Sequence, residues 1–212
     1  MQKEERILVA DDHEIVRMGI IRMIEKLKPN AKLFEVNDYT TLYDIVSKQT
    51  FDLAIVDVNM PNGSFQEAVN FIKLKQPELK ILVFSSQDEQ LYALRYLKMG
   101  AGGYLNKDAS EAKIDTALNA MLNTGRYLSE GVKEAMILAS LNDQKKGSGI
   151  ETLSDRELQV ANKLVEGIPL KELSSILNLH TSTVSTYKNR VFEKLDIKSI
   201  PELVEILKLY ND

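Results

Sequence analysis

The stretch Phe51–Pro61, FDLAIVDVNMP, holds four consecutive apolar residues, Leu53-Ala-Ile-Val56, followed at once by Asp57 and then by the turn Met60-Pro61. A run without polar alternation reads as a strand buried on both faces, the kind found in parallel sheets. Why such a strand ends in an aspartate is the question that organises the rest of the chain. Upstream, Ile7–Ala10 precedes a segment of helical periodicity, Glu14–Leu27, with Ile15, Val16, Ile20, Ile24 and Leu27 near helical spacing. Lys32–Val36 then precedes a helix at Thr40–Gln49. Downstream, Phe65–Lys75 is closed by Pro77, Ile81–Phe84 precedes Glu89–Met99 with its cap Gly100, and Gly103–Leu105 precedes Ser110–Leu122. Strands alternating with helices predict an α/β unit with a parallel sheet covered on both faces. The crossovers should all be right-handed.

After Gly125 the pattern changes. A helix over Glu130–Leu141 runs into the polar, glycine-containing stretch Asn142–Gly149, which has nothing to bury and reads as a flexible linker. Beyond it only helices are signalled. Ser154-Asp-Arg-Glu157 is a capping box opening a helix to about Glu166. Leu170–Leu177 is a short second helix, Thr181 or Ser182 caps a third reaching Leu195, and Ser199-Ile-Pro-Glu202 opens a fourth.

Length and composition fit this division. The 212 residues are 44% apolar and 27% charged, ordinary globular material rather than a disordered chain. The absence of cysteine excludes a disulfide framework, a thiolate zinc site and a cysteine nucleophile, and fits a reducing cytosol. No apolar run approaches the roughly 18 residues of a membrane span, and MQKEER does not read as a signal peptide. These features point to a cytoplasmic protein without a membrane partner. A net charge of −4 neither demands nor excludes nucleic acid, so charge is read locally.

Ligands of open parallel sheets bind beyond the carboxyl ends of the strands. The residues there are Asp11-Asp12 after the first strand, Asp57 after the third, Ser85-Ser86 after the fourth and Lys107 just after the fifth. Three carboxylates and a lysine make a pocket suited to a hard divalent cation such as Mg²⁺ or Mn²⁺, with Asp57 and Asp11 or Asp12 as ligands and the Asn59 backbone carbonyl as another. A carboxylate there can also attack phosphorus to give an acyl phosphate. Lys107 and the cation then offset developing charge, and the Ser85 hydroxyl donates to a phosphoryl oxygen. Each residue alone has a plainer reading: Asp57 as a turn residue, Asp11-Asp12 as helix caps, Lys107 as a surface lysine. Their conjunction on one rim carries the functional reading. His13 and His180 read as positional, and Met18, Met23 and Met99 as packing.

The motifs LVADDHEIVRMGI, AIVDVNMP, ILVFSS and GAGGYLNKDAS resemble the receiver domain of two-component response regulators over about residues 5–124. That resemblance implies a flavodoxin-like five-stranded sheet of order 2-1-3-4-5, with Asp57 as phospho-acceptor and Asp11-Asp12 as the acidic metal pair. It further implies Ser85 as switch hydroxyl, Lys107 as the family lysine, and Tyr104 as the switch aromatic that turns inward on activation. Lys107-Asp-Ala109 resembles the NarL/FixJ subfamily. The loop NGSFQEA departs from the family pattern, being compressed, with Gly63 early.

In the last helices, a short helix braces a second whose Val184, Val191 and Leu195 share one stripe, the pattern of a helix-turn-helix. Thr183, Lys188 and Arg190 lie off that stripe, and Lys194 and Lys198 extend a positive region. Residues 151–209 resemble the four-helix LuxR-type DNA-binding domain, with Glu157, Gly167 and Lys171-Glu172 at its marked positions, although Ser185 and Tyr187 stand where Lys and His are frequent. This implies promoter DNA as partner, met by Thr181, Ser182, Thr183, Ser185, Thr186, Tyr187, Lys188, Arg190 and Lys194. The resulting division is a receiver at 1–124, a helical segment and linker at 125–150, and an all-α helix-turn-helix domain at 151–212. The implied function is a response regulator loaded on Asp57 by a sensor histidine kinase, dimerising on activation, and not an enzyme. A phosphatase using Asp57 as nucleophile is the rival from the enzyme class, disfavoured because Asn59 stands where its general acid is expected. A regulator working without phosphorylation is the other.

Overall fold

Strands with no polar face have nowhere to go but the middle of a layered sheet, and the computed structural model places them there. It describes residues 4–142 and 149–211. The first ten elements are β1 (Arg6–Ala10), α1 (Glu14–Leu27), β2 (Lys32–Val36), α2 (Tyr39–Lys48), β3 (Leu53–Val56), α3 (Phe65–Lys75), β4 (Lys80–Ser85), α4 (Glu89–Met99), β5 (Gly103–Asn106) and α5 (Glu111–Thr124). All neighbouring strands pair in parallel, in the order β2-β1-β3-β4-β5. Every residue of β3 is buried, whereas the edge strand β2 buries only Val36.

Local chemistry sets the element ends. The Asp38 side chain accepts from the Thr41 amide at 2.7 Å, which starts α2 at Tyr39, one residue earlier than expected. Ser64 and Ser110 cap α3 and α5 in the same way. Gly100 ends α4 in the left-handed conformation at φ 111°, where a side chain would be strained. The apolar stripe of α1 is narrower than its sequence suggests. Ile20 and Ile24 are buried, but Ile15 is 86% exposed because helical spacing turns it to the face opposite Ile24. Met18, expected in the packing, is exposed on the same helix.

The chain divides into two compact units, Met1–Ala139 and Ser140–Asp212. Most of the segment after Gly125 therefore goes with the sheet. Tyr127 forms a parallel bridge to Gly103, and Val132 of α6 (Glu130–Asn142) is buried. Except for its ends, the Asn142–Gly149 linker lies outside the described residues.

The second unit holds a short 3₁₀ turn, Ile150–Thr152, then α7 (Asp155–Val165), α8 (Leu170–Ile176), α9 (Thr181–Leu195) and α10 (Ile200–Asn211). The capping box is complete: Ser154 Oγ accepts from the Glu157 amide, and the Glu157 carboxylate accepts from the Ser154 amide at 2.7 Å. At α9 the expectation is corrected. His180 holds the extended cap conformation and makes no side-chain cap bond, while Thr181 and Ser182 already lie inside the helix. Asp196, at φ 52°, ends α9 in the left-handed region.

Glu157 is only 3% exposed, and the same carboxylate oxygen, Oε2, also accepts from Lys194 Nζ at 2.6 Å, tying α7 to α9. Burial opposes its ionisation, but Lys194 and the Ser154 groups outweigh burial and hold its pKa below the ordinary glutamate range. The Glu157→Gln variant is expected to destabilise the second unit by about 2 kcal/mol, read by calorimetric melting of the full chain. Because the folded value is depressed, the difference from wild type is complete above the ordinary glutamate pKa. It closes as pH falls through the lowered value.

Candidate functional site

The register of the sheet assembles the acidic rim. Ala10 lies beside Val56 and Val56 beside Val83, so the residues that follow β1 and β3 emerge together. Backbone bonds hold this rim: the Asp57 amide donates to Ala10 O at 2.8 Å, the Asp11 amide to Val36 O at 3.1 Å, and the Lys107 amide to Ser85 O at 2.9 Å. Asp11 and Asp57 are 1% and 2% exposed. Lys107 Nζ lies between them, 2.7 Å from Asp11 Oδ2 and 2.9 Å from Asp57 Oδ2. The outward oxygens are held by backbone: the His13 amide donates to Asp11 Oδ1 at 2.9 Å and the Asn59 amide to Asp57 Oδ1 at 3.3 Å.

Asp12 is more exposed, and its carboxylate meets His13 Nδ1 at 2.7 Å. Ligand atoms of Asp11, Asp12, His13 and Asp57 all lie within 4.8 Å of one another. Three carboxylates against one ammonium leave a local excess of negative charge, and a hard divalent cation fits that donor set. His13, read from sequence as positional, belongs to this cluster, and its place directly after the acidic pair is the signal that could have found it.

Ser85 is buried, and its hydroxyl accepts from the Gln87 amide at 3.2 Å. Tyr104 is buried as well, its hydroxyl donating to the Gln87 carbonyl at 2.7 Å and its ring stacked on Tyr96 at 6.1 Å. In this structure the ring faces inward. Gln87, unremarked in the sequence, accounts for it. Its carbonyl also accepts from Asn106 Nδ2 at 3.0 Å and its side chain from the Tyr96 hydroxyl at 2.8 Å. Nothing in the local sequence signals that role, because its partners lie on α4 and β5.

In the second unit, α9 buries Val184, Val191 and Leu195 and packs on α7 and α8. Opposite that stripe, Ser182, Thr186 and Arg190 are exposed, as is Thr181, while Thr183, Ser185, Tyr187 and Lys188 are half-buried. Two of the hydroxyls are engaged at home: Thr181 donates to Ser174 Oγ at 3.3 Å and Thr186 to Ser182 O at 3.0 Å. Lys188 Nζ lies 5.2 Å from the centroid of the Phe192 ring. Lys194 departs from its expected place. It donates to Glu157 and, at 3.0 Å, to Thr152 O, which turns it toward α7 and not toward the polar face of Ser182 and Arg190.

Comparison with known proteins fits both halves. Residues 7–119 match the model of the response regulator receiver domain, and residues 151–207 that of the luxR family of bacterial regulatory proteins. The chain belongs to the response regulators. It is 30% identical over 200 residues to the response regulator UvrY of Escherichia coli K12, covering 94% of this chain and 92% of UvrY. It is 30% identical over 198 residues to the response regulator GacA of Pseudomonas aeruginosa, covering 93% and 92%. Among solved structures, RcsB from Salmonella enterica serovar Typhimurium is 25% identical, covers 97% of this chain and 99% of its own, and superposes with a TM-score of 0.60.

Two groups of the regulator's rim are shifted by burial and by each other's charge. Burial pushes the Asp57 carboxyl up and neighbouring Asp11 adds to this, while Lys107 pulls it down; the net direction is up. For Lys107, burial works against the ammonium, but its bonds to Asp11 and Asp57 prevail and raise its pKa. In metal-free protein, the Asp57 carboxyl-carbon shift should therefore titrate above the ordinary aspartate range. In Lys107→Met the midpoint is expected to move further up, since the one cation that lowers it is gone; an unmoved midpoint contradicts this account.

Proposed function

We propose that this response regulator accepts a phosphoryl group on Asp57 from a sensor histidine kinase and so controls its own binding to promoter DNA. The observation that carries the reading is the buried pair Asp11–Asp57 spanned by Lys107 at 2.7 and 2.9 Å. An ionised Asp57 at the end of a rigid strand is held ready to attack phosphorus. The P–N bond to the kinase imidazole breaks as the carboxylate–phosphorus bond forms, and an acyl phosphate results. Mg²⁺ or Mn²⁺, when held by Asp11, Asp12, Asp57 and the Asn59 carbonyl, supplies charge neutralisation for the transferring group. Lys107 exchanges its Asp57 oxygen for a phosphoryl oxygen, and Ser85 turns its hydroxyl toward another. That turn releases the Gln87 amide, so the loop carrying Gln87, which holds Tyr104 and Tyr96, is the element biased by phosphorylation.

The protein acts as acceptor and not as an enzyme, because Asn59 offers no proton where a phosphatase keeps its acid. Its output is on α9: Arg190 neutralises phosphate, and Thr181, Ser182, Thr183, Ser185, Thr186, Tyr187 and Lys188 face bases or backbone. Activation pairs two copies, which read half-sites about one helical turn apart. Support comes from RcsB, whose structure was obtained on the rprA promoter with the phosphomimetic BeF₃⁻. The described residues contain no helix long and apolar enough to cross a membrane, and we place the protein in the cytoplasm.

Two measurements test this. With a small phosphodonor and Mg²⁺, intact-mass spectrometry should show one phosphoryl addition on wild type and none on Asp57→Asn; equal addition on both overturns the acceptor. For DNA, Arg190→Ala should weaken binding across sequences and reduce the slope of log affinity against log salt by about one.

A further inference from the structure

Tyr39 opens α2 and is fully buried, at 0% exposure. Its hydroxyl lies 3.1 Å from the Asp57 carbonyl and 3.1 Å from the Val58 carbonyl, so one O–H serves two acceptors. Its amide donates to the Pro61 carbonyl, also at 3.1 Å. The compressed loop then closes over the same residue. A Cβ added to Gly63 would stand 2.8 Å from Tyr39 Cβ and 3.1 Å from its Cγ, which only glycine avoids. Asn62 takes the left-handed conformation at φ 65°, and its side-chain amide reaches Asp38 at 3.3 Å. The strap from Asp57 to Gly63 is thus moulded on one tyrosine.

The direction of those bonds matters more than their number. A peptide unit is planar and trans, so a carbonyl and the following N–H point in opposite directions from one plane. Holding the Val58 carbonyl against Tyr39 aims the Asn59 N–H the other way, and that N–H donates to Asp57 Oδ1 at 3.3 Å. The same plane sets where the strap continues at Asn59. A phenylalanine would fill the space but leave two buried carbonyls without this donor, a loss that rotating the peptide planes would partly relieve.

We infer that Tyr39 is a positioning residue for the acceptor site: its hydroxyl orients the 57–59 backbone so that the Asn59 amide holds the Asp57 carboxylate and the Asn59 carbonyl serves the cation. This rests on the acceptor reading above. It identifies what steadies the loop at the point where this chain departs from its family's length.

The test uses the full chain with Mn²⁺ as probe, free ion being counted by electron paramagnetic resonance. Tyr39→Phe is expected to raise the Mn²⁺ dissociation constant about tenfold, the usual effect of removing a group that orients a ligand. The Mg²⁺ concentration giving half-maximal acyl-phosphate formation should rise in step. Tyr43→Phe is the control: that ring stacks on Tyr39 at 6.4 Å, and its hydroxyl is bonded to neither carbonyl. Unchanged Mn²⁺ affinity in Tyr39→Phe, or an equal shift in both variants, overturns the inference. A Mn²⁺ shift confined to Tyr39→Phe, with no phosphoryl addition even on wild type, upholds the positioning role and refutes the acceptor. If Tyr39→Phe melts below the assay temperature, the Mn²⁺ comparison is made below its melting midpoint, and unchanged affinity there overturns the inference.

Discussion

Two carboxylates almost shut off from water depend on one lysine. Asp11 and Asp57 lie at the ends of adjacent parallel strands, and Lys107 reaches both from the loop after β5. An unpaired charge at that depth costs several kcal/mol, so the pairing constrains everything around it. It requires β1 beside β3, and it requires the chain to return past β4 before the lysine arrives. Lys107 has to bridge the rim from the far side of Ser85, and its own amide is fixed there by the Ser85 carbonyl. The sheet order and the chemistry of the rim are in that sense one constraint. The bridge also leaves the other oxygens of Asp11 and Asp57 directed at backbone amides, with lone pairs remaining for a cation.

Around the bridge, the rim is steadied from beneath by two residues that carry no charge. Tyr39 holds the carbonyls on the α2 side of Asp57, and Gln87 collects the Tyr96, Tyr104 and Asn106 side chains on the β4 side. Both use buried polar groups whose partners lie on neighbouring elements. In a low-dielectric interior such groups are costly when unpaired and therefore specify one geometry when paired. Around Asp57 the carboxylate rotamer, the Asn59 amide and the strap form one chain of bonds, so a change at any link is felt at the carboxylate.

Legibility from sequence followed the range of the interactions. Runs such as Leu53–Val56, the caps at Ser64, Ser110 and Ser154 and the stop at Gly100 are local, and each element end fell within two residues of its expected place. The acidic rim was legible because parallel topology converts strand ends into neighbours. What escaped were side chains whose partners are distant in sequence. Lys194 reads as part of a positive region, yet it reaches across 37 residues to Glu157. Ile15 reads as core by composition and lies outside by rotation, since a stripe is defined by angle and not by hydrophobicity alone. Tyr39 and Gln87 gave no signal, because a tyrosine at a helix start and a glutamine after a strand are common in any chain.

The state of Tyr104 bears on how the proposed switch is divided. A ring that entered the core only after phosphorylation would make its burial the driving event. Here the ring is already buried and stacked on Tyr96, and its hydroxyl donates to the Gln87 carbonyl and meets the Ser85 side chain; burial raises the phenol's pKa, so it stays a neutral donor. The free-energy difference between two states must then come from elsewhere, since a ligand shifts an equilibrium only through contacts that differ between them. The group free to differ is the Ser85 hydroxyl, which accepts from the Gln87 amide in this structure and would donate to a phosphoryl oxygen on Asp57. Because the Gln87 carbonyl and side chain hold Tyr104, Tyr96 and Asn106, the proposed release of its amide would loosen the β4–α4 loop to which α4 and β5 are tied. In the proposed switch, phosphorylation acts by releasing this tether.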